Sequence, residues 1–166
     1  MGYDPQPGRP GSGRTDSDRG IHVFPVRVYY EDTDAAGIVY YVNYLKFAER
    51  ARTEMLRLLG KEQQEMLDRD GLGFAVRSCT VDYLAPARLD DALEVQTSLL
   101  EVGGASMRVR QTVVRDGRTL ADMRLRLAFI DRAGRPARLP ADIRDGLAPF
   151  ISPADRSPAD SAARAS

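Results

Sequence analysis

The residues able to do chemistry in this chain are carboxylates, because imidazoles and thiols are almost absent. Its 166 residues include one histidine, His22, and one cysteine, Cys79. A Ser-His-Asp triad could be built only around His22, and a zinc site of cysteine and histidine lacks ligands. His22, beside a polar terminal segment, is expected on the surface, and Cys79 is expected to be a small core residue. If the protein is an enzyme, carboxylates and backbone groups must carry its chemistry; Asp32 and Asp34 lie in a cluster of turn-forming residues.

The charge balance excludes one broad class of function. The chain carries 24 Lys and Arg residues against 24 Asp and Glu residues, so its formal net charge is zero. Such a chain lacks the positive field that attracts nucleic acid or an anionic membrane surface, although it can still carry a local basic patch. It has neither the apolar stretch of a signal peptide nor the ~20 apolar residues of a transmembrane helix. We therefore expect a cytoplasmic protein without membrane insertion and without a nucleic-acid partner.

The composition along the chain predicts a single folded domain with polar ends. A length of 166 residues is typical of one domain with a substantial core. Both ends consist mostly of small, polar and charged residues and proline, which bury too little apolar surface to offset the entropy of ordering. We predict a disordered N-terminal arm at residues 1–20, a folded domain at 21–150 and a disordered C-terminal tail at 151–166.

A strand, a tight turn and a long helix follow one another at the start of this domain. Residues 23–31 alternate apolar and polar side chains, which predicts a strand. The turn-forming cluster at 32–37 ends in Gly37, which can adopt the positive φ of a sharp reversal. Asn43 is then placed to cap a helix that ends at Gly60, because apolar residues recur at helical spacing between them.

The rest of the domain predicts a sheet. After a short helical piece near 62–68, strand-like segments separated by turn signals occupy residues 74–84, 92–101, 106–114 and 120–130. Three hairpin links would make these four strands consecutive antiparallel neighbours, and the first strand joins the same sheet. The order predicts an α+β fold in which one long helix packs on a curved, five-stranded antiparallel sheet.

Two segments carry a resemblance to a known family. Residues 28–44 read VYYEDTDAAGIVYYVNY and residues 49–54 read ERARTE. Together with weaker matches at 83–87 and 106–111, they resemble the signature of hotdog-fold acyl-CoA thioesterases of the 4-hydroxybenzoyl-CoA thioesterase group, and within it the YbgC-type, tol-pal-associated branch. The resemblance implies a hotdog fold, in which a five-stranded antiparallel sheet wraps one long helix. It also implies a homodimer with sheets joined edge to edge, which can pair into a homotetramer, and active sites at the dimer interface near the helix N-terminus.

The resemblance carries Asp34 over as the catalytic carboxylate. Asp34 could attack the thioester carbonyl and form a mixed anhydride, or it could activate water as a general base; both alternatives stay open. The family match places one donor to the carbonyl oxygen at the main-chain N–H of Tyr41, where the start of the helix favours negative charge. YbgC-type members commonly have histidine where this chain has Tyr41, so the backbone donor is kept and the imidazole is not. We expect neither a cofactor nor a metal.

Five residues are nominated for substrate binding: Gly37, Asn43, Tyr44, Arg108 and Arg110. Gly37 serves the turn that brings the carboxylate and the helix end together, and Asn43 is expected as the helix cap. Tyr44 is expected in the core or in the pocket wall, and Asp32 is expected to be a structural turn residue. The CoA part of the substrate brings phosphates, which need positive partners. The nominated arginines are Arg108 and Arg110, which share one strand face, with Arg77 and Arg88 as further candidates.

Three functions from different classes fit these observations. The first is an acyl-CoA thioesterase for a short-chain or aromatic acyl group. The second is a hotdog enzyme of other chemistry, such as a dehydratase, for which the resemblance would require a histidine-plus-acid pattern; the only histidine lies outside the motif. The third is a non-catalytic acyl-binding or envelope-complex scaffold module, in which Asp34 would be idle. The complete motif favours the first.

Overall fold

The computed structural model describes residues 11–152 of the chain. The first half of the predicted arm, residues 1–10, and the predicted tail from residue 153 lie outside the described residues. Within the described part, the arm contributes strand β1 (Arg14–Asp16), which pairs antiparallel with β2 (Ile21–Arg27). The structure differs here from the prediction of disorder. Strand pairing uses main-chain groups, so it does not need the apolar side chains that this segment lacks.

One antiparallel sheet contains all six strands of the described residues. Besides β1 and β2 it holds β3 (Gly73–Tyr83), β4 (Ala92–Val102), β5 (Ser106–Arg115) and β6 (Arg118–Ile130). The order across the sheet is β1-β2-β4-β5-β6-β3. The helices are α1 (Asn43–Leu58), α2 (Gln63–Asp70) and α3 (Ala141–Leu147), with short 3-10 turns at Tyr30–Asp32 and Ala148–Phe150. The α+β architecture is confirmed, with six strands in place of five.

The position of β3 differs from the prediction. Hairpin links would place it beside β4, but β3 pairs with β6 along its length and forms one edge of the sheet. The segment after β3 crosses instead to the helix side of the molecule, where the Val39 N–H donates to the carbonyl oxygen of Ala87 at 2.8 Å. The alternation of apolar and polar side chains along a strand indicates which face is buried, but it does not indicate which strand is its neighbour. The pairing of β3 with β6 could therefore not be predicted from this pattern.

Helix α1 packs on one face of the sheet because its apolar residues recur every three or four positions. Ala48, Ala51 and Met55 are buried against the sheet, where side chains at alternate positions of β5 such as Val109 are buried too. The predicted apolar face is confirmed, although Leu58 at the end of the helix is 42% exposed. None of the helices within residues 11–152 has the length and apolar character needed to cross a bilayer.

Two residues lie in environments opposite to those predicted. His22 was expected on the surface, but its side chain is fully buried, with its ring centroid 6.4 Å from that of Phe150. Its Nε2 lies 2.7 Å from the carbonyl oxygen of Ser12, so the segment leading into β1 covers it. Cys79 was expected in the core, but it is exposed because β3 is an edge strand. Both differences arise because contacts between segments distant in sequence decide which parts of the sheet edges are covered.

Candidate active site

The carboxylate Asp34 stands at the start of a tight turn between β2 and α1. Its main-chain N–H donates to the carbonyl oxygen of Ile38 at 2.9 Å, and its own carbonyl accepts the Gly37 N–H at 3.0 Å. Gly37 has φ of +74°, so the predicted positive φ is confirmed. Asp34 is exposed, and its Oδ1 accepts the Ala36 N–H at 2.8 Å. The second carboxylate oxygen therefore projects from a turn of fixed shape.

The buried residue Asp32 ties this turn to the start of α1. Its carbonyl oxygen accepts both the Tyr40 N–H, at 2.9 Å, and the side-chain amide of Asn43, at 2.8 Å. Its carboxylate accepts the Tyr29 N–H at 2.8 Å, which confirms the structural assignment of Asp32. The prediction that Asn43 caps the helix is wrong, because Asn43 is the first helical residue and its side chain binds the loop instead. Asn43 thus fixes the distance between the Asp34 turn and the helix.

Just before helix α1, the chain carries main-chain N–H donors that have no acceptor in the described part of the chain. The Tyr40 carbonyl accepts the Asn43 N–H at 2.8 Å, and the Val42 carbonyl accepts the Leu45 N–H at 3.0 Å. Among the hydrogen bonds of residues 11–152, none has the main-chain N–H of Tyr41 or Val42 as its donor. The first turn of α1 contains no acidic residue, so no side chain of that turn neutralises the positive end of the helix dipole. An oxygen that gains negative charge beside this end would be stabilised.

Tyrosine rings form a wall around this helix end. Ring centroids lie 4.9 Å apart for Tyr40 and Tyr41, 6.2 Å for Tyr41 and Tyr83, and 5.5 Å for Tyr44 and Tyr83. Tyr83, the last residue of β3, also donates its hydroxyl to the carbonyl oxygen of Tyr41 at 2.9 Å. The sequence predicts no role for Tyr83, and the only signal for it is its place in the weaker family match at 83–87.

Tyr44 is a core residue with one buried polar contact. Its side chain is 3% exposed, and its hydroxyl oxygen accepts the Ala87 N–H at 2.9 Å. Burial raises the pKa of the Tyr44 hydroxyl above its ordinary value of 10, so the group stays protonated at neutral pH. Tyr44 therefore holds the segment after β3 against α1 and backs the tyrosine wall.

The nominated arginines fall into two separate places. Arg108 and Arg110 share the outer face of β5, as predicted, on the side of the sheet away from α1. Arg110 pairs with Asp122, with N···O distances of 2.8 and 3.1 Å. Arg88 is exposed, and its main chain bridges to Ile38 in the Asp34 turn. The structure therefore brings Arg88 next to the motif, whereas Arg108 and Arg110 lie outside it.

The Arg108 face carries a large concave surface, and the space under α1 is small. A hollow of about 490 Å³ on the outer face is lined by Arg108, Arg124 and Arg126 together with the Ser78 and Thr80 side of β3. The apolar cavity between the helices and the inner face of the sheet measures only about 50 Å³. This is far below the several hundred cubic ångströms of a ligand pocket. The cavity that residues 11–152 of one chain leave under the helix is therefore too small to hold an acyl group.

Comparison with known proteins agrees with this arrangement. The thioesterase-like superfamily matches residues 28–147 of the chain. The chain is 43% identical over 122 residues to the acyl-CoA thioesterase YbgC of Haemophilus influenzae, covering 73% of this chain and 90% of that protein. A crystal structure of a probable thioesterase from Bartonella henselae superposes with a TM-score of 0.70 at 34% identity, covering 72% of this chain and 99% of that one. A gentisyl-coenzyme A thioesterase superposes with a TM-score of 0.70 at 29% identity, covering 75% and 98%.

The fold, the motif and these relatives define the class. The chain belongs to the thioesterase-like superfamily, and it is an enzyme that hydrolyses thioesters. Its fold is that of the hotdog thioesterases, with α1 held by the curved sheet. The resemblance to YbgC-type thioesterases is confirmed.

Proposed function

We propose that this enzyme hydrolyses a short-chain or aromatic acyl-CoA thioester to the free acid and CoA. Asp34 acts as nucleophile or general base, and main-chain N–H groups at the start of α1, including that of Tyr41, polarise the carbonyl. The observation that carries the proposal is the link between these parts. The Asp34 turn is bound through the Asp32 carbonyl to Tyr40 and Asn43, at the helix end whose next N–H groups have no acceptor among the described residues.

Both roles of Asp34 give balanced chemistry. As a nucleophile, its carboxylate oxygen bonds to the thioester carbon, the C–S bond breaks, and CoA leaves as a thiolate that takes up a proton; water then cleaves the mixed anhydride. As a general base, Asp34 takes a proton from a water molecule whose oxygen attacks the same carbon, and that proton finally goes to the departing sulfur. In both routes the carbonyl oxygen becomes negative and is met by the helix-terminal N–H groups.

The acyl group and the CoA phosphates contact different parts of the surface. The tyrosine wall of Tyr40, Tyr41 and Tyr83 offers ring faces beside the reacting carbonyl, which suits a short or aromatic acyl group. The relative named as a gentisyl-coenzyme A thioesterase supports the aromatic choice. Arg88, exposed and next to the Asp34 turn, is the nominated arginine best placed for a phosphate, while Arg108 and Arg110 would serve if the CoA reaches the outer face of the sheet.

The active enzyme is a homodimer, or a homotetramer built from two dimers. Among the described strands, β3 has a hydrogen-bonded neighbour on one side only, and its side chains from residue 76 to 80 are exposed. Such an edge is suited to antiparallel pairing with a second copy. Pairing would bring a second surface against the tyrosine wall at the end of β3, and so enclose the acyl group that one chain leaves open.

Two alternatives have less support. A dehydratase with a histidine-plus-acid pair would need His22, which is fully buried and packs against Phe150 rather than in the Asp34 turn. A non-catalytic acyl-binding or scaffold module would keep the fold but make no use of Asp34. The assay described next separates this second alternative from the enzyme.

The test is the release of free thiol from a panel of short-chain, medium-chain and aromatic acyl-CoAs. We expect the wild type to release CoA from at least one of them. Asp34→Asn should lower the rate at least ~100-fold, because it removes a positioned acid–base or nucleophilic group. Asp116→Asn is the matched control, since Asp116 sits in the β5–β6 hairpin turn with φ of +49°, a conformation that asparagine also tolerates.

Each result has a separate meaning. A wild type that releases thiol from no member of the panel would contradict the thioesterase function and favour the binding module. An Asp34→Asn variant with wild-type activity would contradict the role of Asp34 while leaving hydrolysis in place. ¹⁸O found in Asp34 by mass spectrometry after a single turnover of the wild type in H₂¹⁸O identifies the nucleophilic route, because water that attacks the Asp34 carbonyl of the mixed anhydride leaves its oxygen there, whereas general-base attack places the label in the acid product alone.

A further inference from the structure

The hydrogen bond between Tyr83 and Tyr41 joins the end of β3 to the start of α1. The Tyr83 hydroxyl donates to the Tyr41 carbonyl oxygen at 2.9 Å across 42 residues of sequence. No other hydrogen bond among residues 11–152 uses that carbonyl, because the first N–H groups of α1 bind the carbonyls of Tyr40 and Val42 on either side of it. The helix itself therefore does not fix the peptide group between Tyr41 and Val42.

Holding a carbonyl also holds the N–H on the other side of the same peptide. A trans peptide is planar, and its C=O and N–H point in opposite directions. The Asn43 N–H binds the Tyr40 carbonyl at 2.8 Å and so orients the Tyr41 N–H. In the same way, Tyr83 binds the Tyr41 carbonyl and so orients the Val42 N–H. Two successive peptides are thus held from their carbonyl side, and their N–H groups have no acceptor within the described residues.

Rotation of the second peptide would harm the reaction in two ways. It would turn the Val42 N–H away from a developing oxyanion, and it would turn the negative end of the Tyr41 carbonyl toward it. Both changes raise the energy of the transition state more than that of the bound substrate. A single hydroxyl contact at the carbonyl prevents this rotation.

We propose that Tyr83 is a positioning residue for thioester hydrolysis: its hydroxyl holds the 41–42 peptide so that the Val42 N–H joins the Tyr41 N–H as a second donor to the oxyanion. This inference rests on the proposed function. The packing of the Tyr83 ring against the rings of Tyr41 and Tyr44 fixes the direction of the hydroxyl. Burial raises the pKa of Tyr83 above its ordinary value of 10, so the hydroxyl keeps its proton for this bond at neutral pH.

The experiment is the substitution Tyr83→Phe, which keeps the ring and removes the hydroxyl. We expect kcat to fall about 10- to 100-fold with KM within about twofold of wild type, because the contact acts on the transition state. The matched control is Tyr30→Phe, in which the side chain is 83% exposed and its hydroxyl makes no hydrogen bond among the described residues. A second readout is the infrared carbonyl frequency of a bound ketone analogue of the substrate, in which a methylene replaces the sulfur.

We expect binding to the wild type to lower the carbonyl frequency of the analogue relative to its value in solution. Binding to Tyr83→Phe should lower that frequency by a smaller amount. A variant with wild-type kcat and wild-type frequency would overturn the inference, and so would a change confined to KM. If the wild type hydrolyses acyl-CoA and Asp34→Asn does not, either result counts against Tyr83 alone. If the wild type releases no thiol at all, the proposed function and this inference are both overturned.

Discussion

Arg52 in helix α1 donates a hydrogen bond to Oε1 of Gln111 in the middle of the sheet, with an N···O distance of 2.7 Å. Both side chains are buried, at 8% and 0% exposure. Gln111 donates its amide in turn to the Ala48 carbonyl and to the Thr97 hydroxyl, each at 2.9 Å, and Arg52 also pairs with Glu49. This polar connection inside an apolar layer fixes where α1 lies along the sheet, and hence where its N-terminus meets the Asp34 turn.

Replacing Gln111 by leucine should lower the free energy of unfolding by about 2–3 kcal/mol. Leucine fills a similar volume but cannot hydrogen-bond. The substitution therefore leaves the buried Arg52 guanidinium and the Thr97 hydroxyl without this partner. Urea unfolding followed by circular dichroism measures the change. The control is Gln64→Ala in α2. The side chain of Gln64 makes one hydrogen bond among the described residues, to Asp68 on the surface, so its loss should change the free energy of unfolding by no more than ~0.5 kcal/mol. Equal midpoints for the Gln111→Leu variant and the wild type would contradict the stabilising role.

Gly37→Ala and Gly134→Ala should cost similar stability but differ in activity. Both glycines have positive φ, +74° and +76°, and an added Cβ meets nothing within 4 Å at either site, so only backbone strain of about 1 kcal/mol is added. Gly37 closes the Asp34 turn, and a small displacement of that carboxylate should lower kcat at least ~10-fold. Gly134 lies in a remote turn and should leave kcat unchanged. Thermal melts measure the stability of both variants, and thiol release measures their kcat. Equal kcat values for the two variants would contradict a role of the Gly37 turn in catalysis.

Stability should fall as the pH drops below about 6.5, because of His22. Burial lowers the pKa of His22 below 6.5, outweighing the Ser12 hydrogen bond and the charge of Glu54, which raise it. In the window between the two pKa values the unfolded chain binds a proton that the folded chain does not, so the free energy of unfolding rises with pH there. The slope is at most about 1.4 kcal/mol per pH unit.

The measurement is urea unfolding at pH 7.5, 6.5 and 5.5 for the wild type and His22→Gln. The glutamine amide can still donate to the Ser12 carbonyl, and it does not titrate. The difference in free energy of unfolding between the wild type and His22→Gln should therefore change with pH below about 6.5 and stay constant above it. A difference that does not depend on pH would show that His22 titrates equally in both states.

Val76→Lys should weaken self-association and lower activity together. Val76 is a 50% exposed apolar residue on the open edge strand β3, and a charge there opposes edge-to-edge pairing. Analytical ultracentrifugation at micromolar concentration should give at least twice the chain mass of 18.3 kDa for the wild type and a shift toward that mass for the variant. Leu67→Lys, at 44% exposure in α2, is the control for adding a charge at an exposed apolar position. A monomeric wild type with full activity would contradict the shared site.

Local features of the fold could be predicted because their causes are local. The spacing of Ala48, Ala51 and Met55 is enough to place the buried face of α1, and the turn cluster is enough to require a positive φ at Gly37. The family motif predicts that Asp34 and Tyr41 belong to one site, because both lie in one continuous segment. Which acyl-CoA is cleaved, and a cytoplasmic location, stay predictions.

Contacts between distant segments could not be predicted from pattern. The partner of β3 depends on the path of the whole chain, and this path decides that Cys79 is exposed. His22 is buried by the segments around Ser12 and Phe150, which lie at opposite ends of the described chain. The hydrogen bond from Tyr83 to Tyr41 joins residues that lie 42 positions apart in the sequence. In each case the deciding partner is remote in sequence, so neither propensity nor periodicity carries the information.

The short strand β1 determines how far the sheet can grow. It covers the β2 side with only three residues, and two of them, Arg14 and Asp16, are charged, which makes this end a poor template for another strand. Within residues 11–152, each chain therefore offers one usable edge, at β3. Two copies joined there consume both usable edges at once, so association in the plane of the sheet terminates after a single step instead of extending into a fibre.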